Sequence, residues 1–339
     1  MNIILIHDAA RIAEASSIAF GNHARLREKY PWLPEKKIDE FKDRIEWITR
    51  EGSVYALVDG DTMRTFLGWF TLDDFRNLGP GALTPDWCFG VAGDAAGERT
   101  GSAMSGLESS PNSRESSRAV SRFMSPLVRR LMNDLKVAGI SIHAVGVPAT
   151  GEAFLEEFSM LSYGRIVLDA ARPTGELLAL PCPEPDGFIV RAATADDARD
   201  LADLDARLAR HVGSAPVLMP GAQGSTIEEW DEWLAGPDAL TFVAERSGKL
   251  VGFIKADPPH DDVSWFVHGD STLAICGLYV DSSIRGKGVG DNLLRALVSA
   301  GAQRGYELVS VDCETHNPEA RAFWTARFKP VTWSFERRF

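Results

Sequence analysis

The chain of 339 residues is short of cysteine, of basic charge and of long apolar runs, and each shortage closes off a class of protein. Its cysteines, Cys88, Cys182, Cys276 and Cys313, are scattered, with no C-x-x-C and no paired spacing. That excludes a disulfide framework and a zinc knuckle and reads as cytoplasmic core thiols. The seven histidines include no H-x-x-x-H pair and no His/Cys cluster, so no metal is expected. No apolar run approaches the ~18 residues of a membrane span. Residues 2–6 are too short, and lack the basic flank, for a signal peptide. With 36 basic against 48 acidic residues the net charge is −12, which argues against nucleic acid, because phosphate binding needs a basic surface. What remains, 45% apolar and 25% charged, is an ordinary globular composition, at a length that suits two domains.

The most informative segment is Arg285-Gly286-Lys287-Gly288-Val289-Gly290. It follows an apolar run at 273–280 that reads as a buried strand, and it opens a stretch where Val289, Leu293, Leu294, Leu297 and Val298 recur at helical spacing. Strand, glycine loop and helix together turn backbone N–H groups at a helix N-terminus toward an anion. A P-loop is excluded because Gly288 follows Lys287 where Ser or Thr is required. A dinucleotide fingerprint could use Asp312 as its acid, but the glycines are spaced G-x-G-x-G and residues 281–284 separate loop from strand. A plain surface turn rarely needs three alternating glycines.

The remaining pattern, R-x-x-G-x-G after a strand ending in Leu278-Tyr279-Val280, resembles the acyl-CoA loop of the GNAT N-acetyltransferase superfamily. Downstream, 307–312 reads as a strand. It is followed by Asn317-Pro318-Glu319-Ala320, then Phe323-Trp324 and Arg327-Phe328. Asn317 is an N-cap before a proline at the first helical position, and N-x-x-A-x-x-F-aromatic is also how the GNAT family opens its last helix.

Organisation supports the resemblance. The alternating prolines of 181–187 mark a linker, since they prevent both helix and central strand. Beyond it the patterns run strand 188–191, helices 194–210 and 227–234, a hairpin of 240–245 with 250–254, then the segments above and closing strands within 331–339. That is the GNAT order, β-α-α-β-β-β-α-β-α-β-β, over 187–339. The first half repeats it in outline: a strand at 3–6, helices at 9–28 and 35–50, and a hairpin of 54–58 with 65–70. Glu46-Trp47 precedes this hairpin as Glu232-Trp233 precedes the later one, and Thr150-Gly151-Glu152-Ala153 stands where Asn317-Pro318-Glu319-Ala320 does. An insertion rich in Gly, Ser and Glu at 95–117 reads as a mobile loop. No R-x-x-G-x-G joins the strand at 87–91 to the helix at 120–135; Arg99-Thr100-Gly101 lies inside the insertion, and Thr150 replaces the asparagine. The expected architecture is therefore α/β (α+β), with two GNAT-like mixed sheets flanked by helices, in tandem. A degenerate domain covers 1–180 and a catalytic one 187–339.

The resemblance implies transfer of an acetyl group from acetyl-CoA to a primary amine of a small molecule or peptide. Residues Gly286, Lys287, Gly288, Val289, Gly290 and Asp291 would bind pyrophosphate, with Arg285 beside them. Leu278, Tyr279 and Val280 would offer main-chain groups to pantetheine, Asn317 would hold its other side, and Phe323 and Trp324 would wall it. The strand position where the family often carries a catalytic glutamate is Ile275, so Asp312 and Glu314 stand as candidate bases, ahead of His316 and Tyr279. Trp324 occupies the place of the usual tyrosine acid. Ten acids against four arginines in 191–240 point to a cationic acceptor, with a solvated helix face as the plainer explanation. A monomer or homodimer is expected. A non-catalytic acyl-CoA-binding regulator is the alternative, and a nucleotide-dependent oxidoreductase the more distant one.

Overall fold

A computed structural model describes residues 1–92, 111–260 and 263–339. In chain order, β1 (Asn2–Leu5) leads into α1 (Ala9–Lys29) and α2 (Ile38–Glu51), and β2 (Gly52–Asp59) with β3 (Thr62–Leu72) forms a hairpin. Then come β4 (Gly81–Thr84), β5 (Phe89–Val91), α3 (Pro111–Val137), β6 (Ile142–Pro148), α4 (Glu152–Met160), β7 (Gly164–Pro173) and α5 (Thr174–Leu178). The later elements are β8 (Ile189–Ala192), α6 (Ala198–Val212), α7 (Ile227–Ala235), β9 (Leu240–Arg246) and β10 (Lys249–Asp257). The series ends with β11 (Thr272–Val280), α8 (Val289–Gln303), β12 (Leu308–Glu314), α9 (Pro318–Thr325) and β13 (Lys329–Arg338). The expected loop at 95–117 falls for 95–110 outside the described residues, whereas 111–117 begin α3. Among the described residues no helix is long and apolar enough to cross a membrane.

Two compact units result, one of residues 1–166 with 331–339, the other of 167–330. The boundary therefore differs from the one expected at 180–187: residues 167–180 belong to the second unit and 331–339 to the first. The alternation in 331–339 announces a strand and its faces, but a period of two carries no information about which strand it pairs with. Instead of two closing strands there is one, β13, because no Gly, Pro, Asn or Asp interrupts the segment from Val331 to Arg338.

In the first unit the strand order is β1-β2-β3-β4-β6-β13, with β5 beside β3. β13 lies antiparallel to β6 from Thr332 opposite Pro148 to Arg338 opposite Ile142. β4 runs parallel to β6 only as far as Thr84 opposite Val145; the chain then leaves β6, and β5 pairs with β3 through Phe89 opposite Leu67. The gap so opened is filled. Phe89, Phe154, Phe158 and Phe335 join Val145 and Val147 in one core, and the Phe89 ring meets Phe154 and Phe158 edge-on at 5.1 and 6.1 Å. Below it the buried His143 ring lies 3.0 Å from Thr84 Oγ1 and 2.7 Å from the Tyr163 hydroxyl, and burial holds its pKa down to about 3.

In the second unit the order is β7-β12-β11-β10-β9-β8. Adjacent residues of β10 face opposite sides: Phe253 meets Trp230 of α7 edge-on at 5.3 Å, while a Cβ on Gly252 would lie 3.5 Å from Leu293 of α8. α6 and α7 thus cover one face and α8 the other. The first turn of α6 is fixed by Arg191, whose guanidinium donates to both oxygens of Asp197 at 2.7 and 2.9 Å. α7 starts at a capping box in which Thr226 accepts from Glu229 N–H and Glu229 from Thr226 N–H. β11 and β12 are parallel neighbours from Thr272 opposite Leu308 only to Ile275 opposite Val311. Beyond that β11 continues along β10 to Val280 and β12 along β7 to Glu314, so the two strands part.

Candidate active site

The parting of β11 and β12 opens a cavity of about 590 Å³ in the second unit. Its edges are main chain: residues 277–280 have β10 on one side and, among the described residues, no strand on the other. The register of β10 with β11 shifts between Lys255, opposite Gly277, and Ala256, opposite Ile275. Cys276 is therefore the extra residue of a bulge, which takes its peptide group out of the ladder and re-aims the chain.

One end of the cavity is the glycine loop. Gly286 and Gly288 take φ of 77° and 79°, in the left-handed region where only glycine sits without strain. The first intrahelical bond of α8 is Asn292 N–H to the Gly288 carbonyl, 3.0 Å. The N–H groups of Val289, Gly290 and Asp291 precede it and have no carbonyl within the helix to donate to. A Cβ on Gly288 would lie 2.3 Å from the Pro183 ring, and one on Gly290 would lie 3.1 Å from the Phe323 ring. The first of these glycines therefore admits the linker, tied down further by Asn292 Nδ2 donating to the Pro183 carbonyl at 2.9 Å. The second lets the Phe323 ring pack directly against the start of α8.

The opposite wall is α9. Asn317 Oδ1 accepts from Ala320 N–H at 3.1 Å, so the cap uses its oxygen and leaves the side-chain NH₂ as donor. The guanidinium of Arg327 donates to Asp291 at 2.5 and 2.8 Å and to the Phe323 carbonyl at 2.7 Å, and stacks 3.8 Å from the Phe323 ring centroid. Trp324 is buried, with Phe323 and Phe328 edge-on at 4.8 and 5.5 Å. Arg285 donates from Nε to the Val280 carbonyl at 3.0 Å and from Nη1 to Glu319.

At the β12 end Asp312 is exposed, and Glu314 lies 3.6 Å from His316 Nε2. Burial, with Asp312 and Glu314 adding, pushes the Cys313 thiol up to about 12, so Cys313 is no nucleophile. Of the residues nominated from sequence, all line the cavity except Lys287 and His316. Leu208, His211 and Val212 of α6, Met219, Cys276, Cys313 and Arg327 line it as well and were missed. The i, i+3, i+4 spacing of the α6 residues is the signal that could have found them. None of the ten acids of 191–240 lines it. Some already have structural work: Asp197 binds Arg191, Asp205 accepts from Ser225 N–H and Glu229 caps α7. Among the described residues no group of three or more His, Cys, Asp or Glu could hold a metal ion.

Residues 213–328 match the model of the acetyltransferase (GNAT) family. No curated protein matches the chain. Among solved structures, a GCN5-related N-acetyltransferase from Sphaerobacter thermophilus is similar over 99% of this chain and 95% of that one, at 14% identity and a TM-score of 0.53. A GCN5-related glucosamine N-acetyltransferase region of a fungal multi-domain GH3 β-N-acetylglucosaminidase matches 99% of this chain and 38% of that one, at 12% identity and a TM-score of 0.50. A tandem GNAT protein from the clavulanic acid biosynthesis pathway matches over 99% and 98%, at 12% identity and a TM-score of 0.45. The likeness to the first two is one of fold, and the fold is that of GNAT proteins.

Proposed function

We propose that residues 167–330 transfer an acetyl group from acetyl-CoA to a primary amine of a small molecule or peptide. On this reading the first unit, 1–166 with 331–339, binds no coenzyme. The family match over 213–328 and the fold support an acyl-CoA-dependent acyltransferase in general. The observation that carries the finer reading is the wedge between β11 and β12, with unpaired main chain along its edge and helix-terminal amides at its end.

The residues fit a pyrophosphate. Three successive N–H groups at the start of α8 lack carbonyl partners in the helix, and the helix end carries partial positive charge. When bound, the coenzyme supplies a thioester carbonyl. On the edge of β11 away from β10, Leu278 offers N–H and C=O and Val280 its N–H to amides laid against them, while the main-chain groups of Tyr279, opposite Phe253, face β10; the NH₂ of Asn317 donates from the facing wall. The main chain at the Cys276 bulge, taken out of the ladder, would supply N–H to stabilise charge developing on the thioester oxygen. An alkylammonium near pH 7 must lose a proton before its nitrogen can attack, and Asp312 or Glu314 takes that proton. These two carboxylates, rather than those of α6 and α7, favour an acceptor of positive charge. Trp324 has no proton of useful acidity; it walls the cavity, and the departing thiolate takes its proton from solvent.

Calorimetry should show one acetyl-CoA per chain. Gly290→Val, whose side chain would collide with the Phe323 ring and push that wall of the cavity out of place, should weaken binding about 10- to 100-fold, the equivalent of an overpacking cost of ~1–3 kcal/mol. Mass spectrometry of a pooled amine panel after incubation with acetyl-CoA should find acetylated products. Absence of binding would overturn the reading, and two sites per chain would overturn the silent first unit. Binding without products would favour the regulatory alternative, which the buried Trp324 in the acid's position makes worth testing.

A further inference from the structure

The cavity carries an unexpected charge balance for a site that takes phosphates. Its lining has the guanidiniums of Arg285 and Arg327 against the carboxylates of Asp291, Asp312, Glu314 and Glu319. Each guanidinium is already paired, Arg327 with Asp291 and Arg285 with Glu319. The two pairs differ in kind. Arg327 is held by two bonds to Asp291, a third to the Phe323 carbonyl and a stacked ring, and its side chain is 20% exposed. It is a fixed part of the wall. Glu319 is 60% exposed and reaches Arg285 from the first turn of α9. Its Oε2 also lies 3.8 Å from Nε2 of His211, at the end of α6 on the other side of the cavity.

We propose that Glu319 is a displaceable counter-ion of Arg285, a latch that a coenzyme phosphate must open and that closes again as the product leaves. The proposal rests on acetyl-CoA being the ligand of this cavity. Arg285 is fixed in the mouth by its Nε bond to the Val280 carbonyl, so its Nη groups can be shared between Glu319 and an incoming phosphate but not moved far. A phosphate is the stronger partner, since it carries more charge and accepts two bonds from a guanidinium. The displaced carboxylate keeps the His211 ring nitrogen close at hand, 3.8 Å from its Oε2. Glu319 thereby lowers affinity for both acetyl-CoA and CoA, and by retaking Arg285 it speeds release of the spent coenzyme.

Two ligands and two positions test this. Calorimetry and stopped-flow dissociation would compare acetyl-CoA with S-acetylpantetheine, which has the same thioester and arm but no phosphate. They would be run on wild type, Glu319→Gln, Arg285→Gln and the double variant. Because the pair is partly exposed and screened, the effect expected is modest: Glu319→Gln should bind acetyl-CoA about 3- to 10-fold tighter and release CoA slower by a similar factor. Its affinity for S-acetylpantetheine should not change, and in the Arg285→Gln background the gain should vanish. Unchanged or weaker acetyl-CoA binding by Glu319→Gln would overturn the latch. So would a gain that survives in the double variant, which would mean simple repulsion of phosphate by Glu319. Wild-type protein that binds no acetyl-CoA would overturn the proposed function, and the latch with it.

Discussion

Both compact units contain the same parting of two parallel strands, β4 from β6 in the first and β11 from β12 in the second. In the first the space is closed by Phe89, Phe154 and Phe158, packed as edge-on rings within one apolar core. In the second it stays open, bordered by Gly277, the Cys276 bulge and the glycine loop. The fold therefore supplies a wedge in either case, and side-chain volume decides whether it becomes a cavity or a core. A closed wedge gives burial and stability; an open one leaves main-chain groups for a ligand to satisfy.

If that contrast is right, removing an aromatic ring should hurt the first unit far more than the second. Phe158 is fully buried and touches Phe89, Tyr163 and Phe335, so Phe158→Ala should destabilise the first unit by ~3–5 kcal/mol. Phe323 already faces a cavity on one side, and Phe323→Ala should cost less than half as much. Equal shifts in denaturant midpoint would break the comparison.

Acid should separate the units next. Burial, and then the charges of Arg27 and Lys36, lower His23 to about 4, and burial lowers His143 to about 3. Both are thus neutral in the folded first unit and protonate on unfolding. Their contribution is complete above the unfolded value near 6.5 and is lost as pH falls from there toward 4 and 3, by about 1.4 kcal/mol per pH unit for each histidine. In the second unit the Arg191 guanidinium, with backbone N–H of Thr194, holds the Asp197 carboxyl below the usual carboxylate range. That contribution persists until pH falls below about 3.9. Protection factors from peptide-resolved hydrogen exchange, corrected for the pH dependence of intrinsic exchange, should fall across 1–166 between pH 6.5 and 4.5 more steeply than across 167–330; protection in the first unit that does not change with pH would contradict this.

The smallest effect is expected at Trp324. As a packed wall it should tolerate Trp324→Phe with turnover reduced less than tenfold, against the roughly 10²–10⁴-fold lost with an acid–base residue. A thousandfold loss with unchanged coenzyme affinity would give the indole N–H a catalytic part.

What the sequence displayed was local. The glycines of 286–290 and the cap at Asn317 are short-range devices whose geometry follows from neighbours in the chain, and both stand where they were expected. What it hid was pairing across distance. Nothing in Arg327 announces its partner Asp291, and nothing in Met219 announces a cavity until β11 and β12 part. The carboxylates of 191–240 looked like a ligand surface because sequence counts charge without direction. In three dimensions Asp197, Asp205 and Glu229 hold up their own helices. The alternation of 331–339 was visible, but its partner β6 was not.

That last pairing bears on how the protein is made. Ribosomes add about 5–20 residues per second, and residues 167–330 separate the end of the first unit's main segment from the strand that completes its sheet. For on the order of ten seconds β6 waits as a bare edge, the kind of surface that recruits foreign strands. The 167–173 part of β7 waits similarly for β12. Neither sheet can close in the order of synthesis, so both wait for residues 308–338, and a nascent chain stalled after the linker would hold two unfinished edges rather than one finished domain.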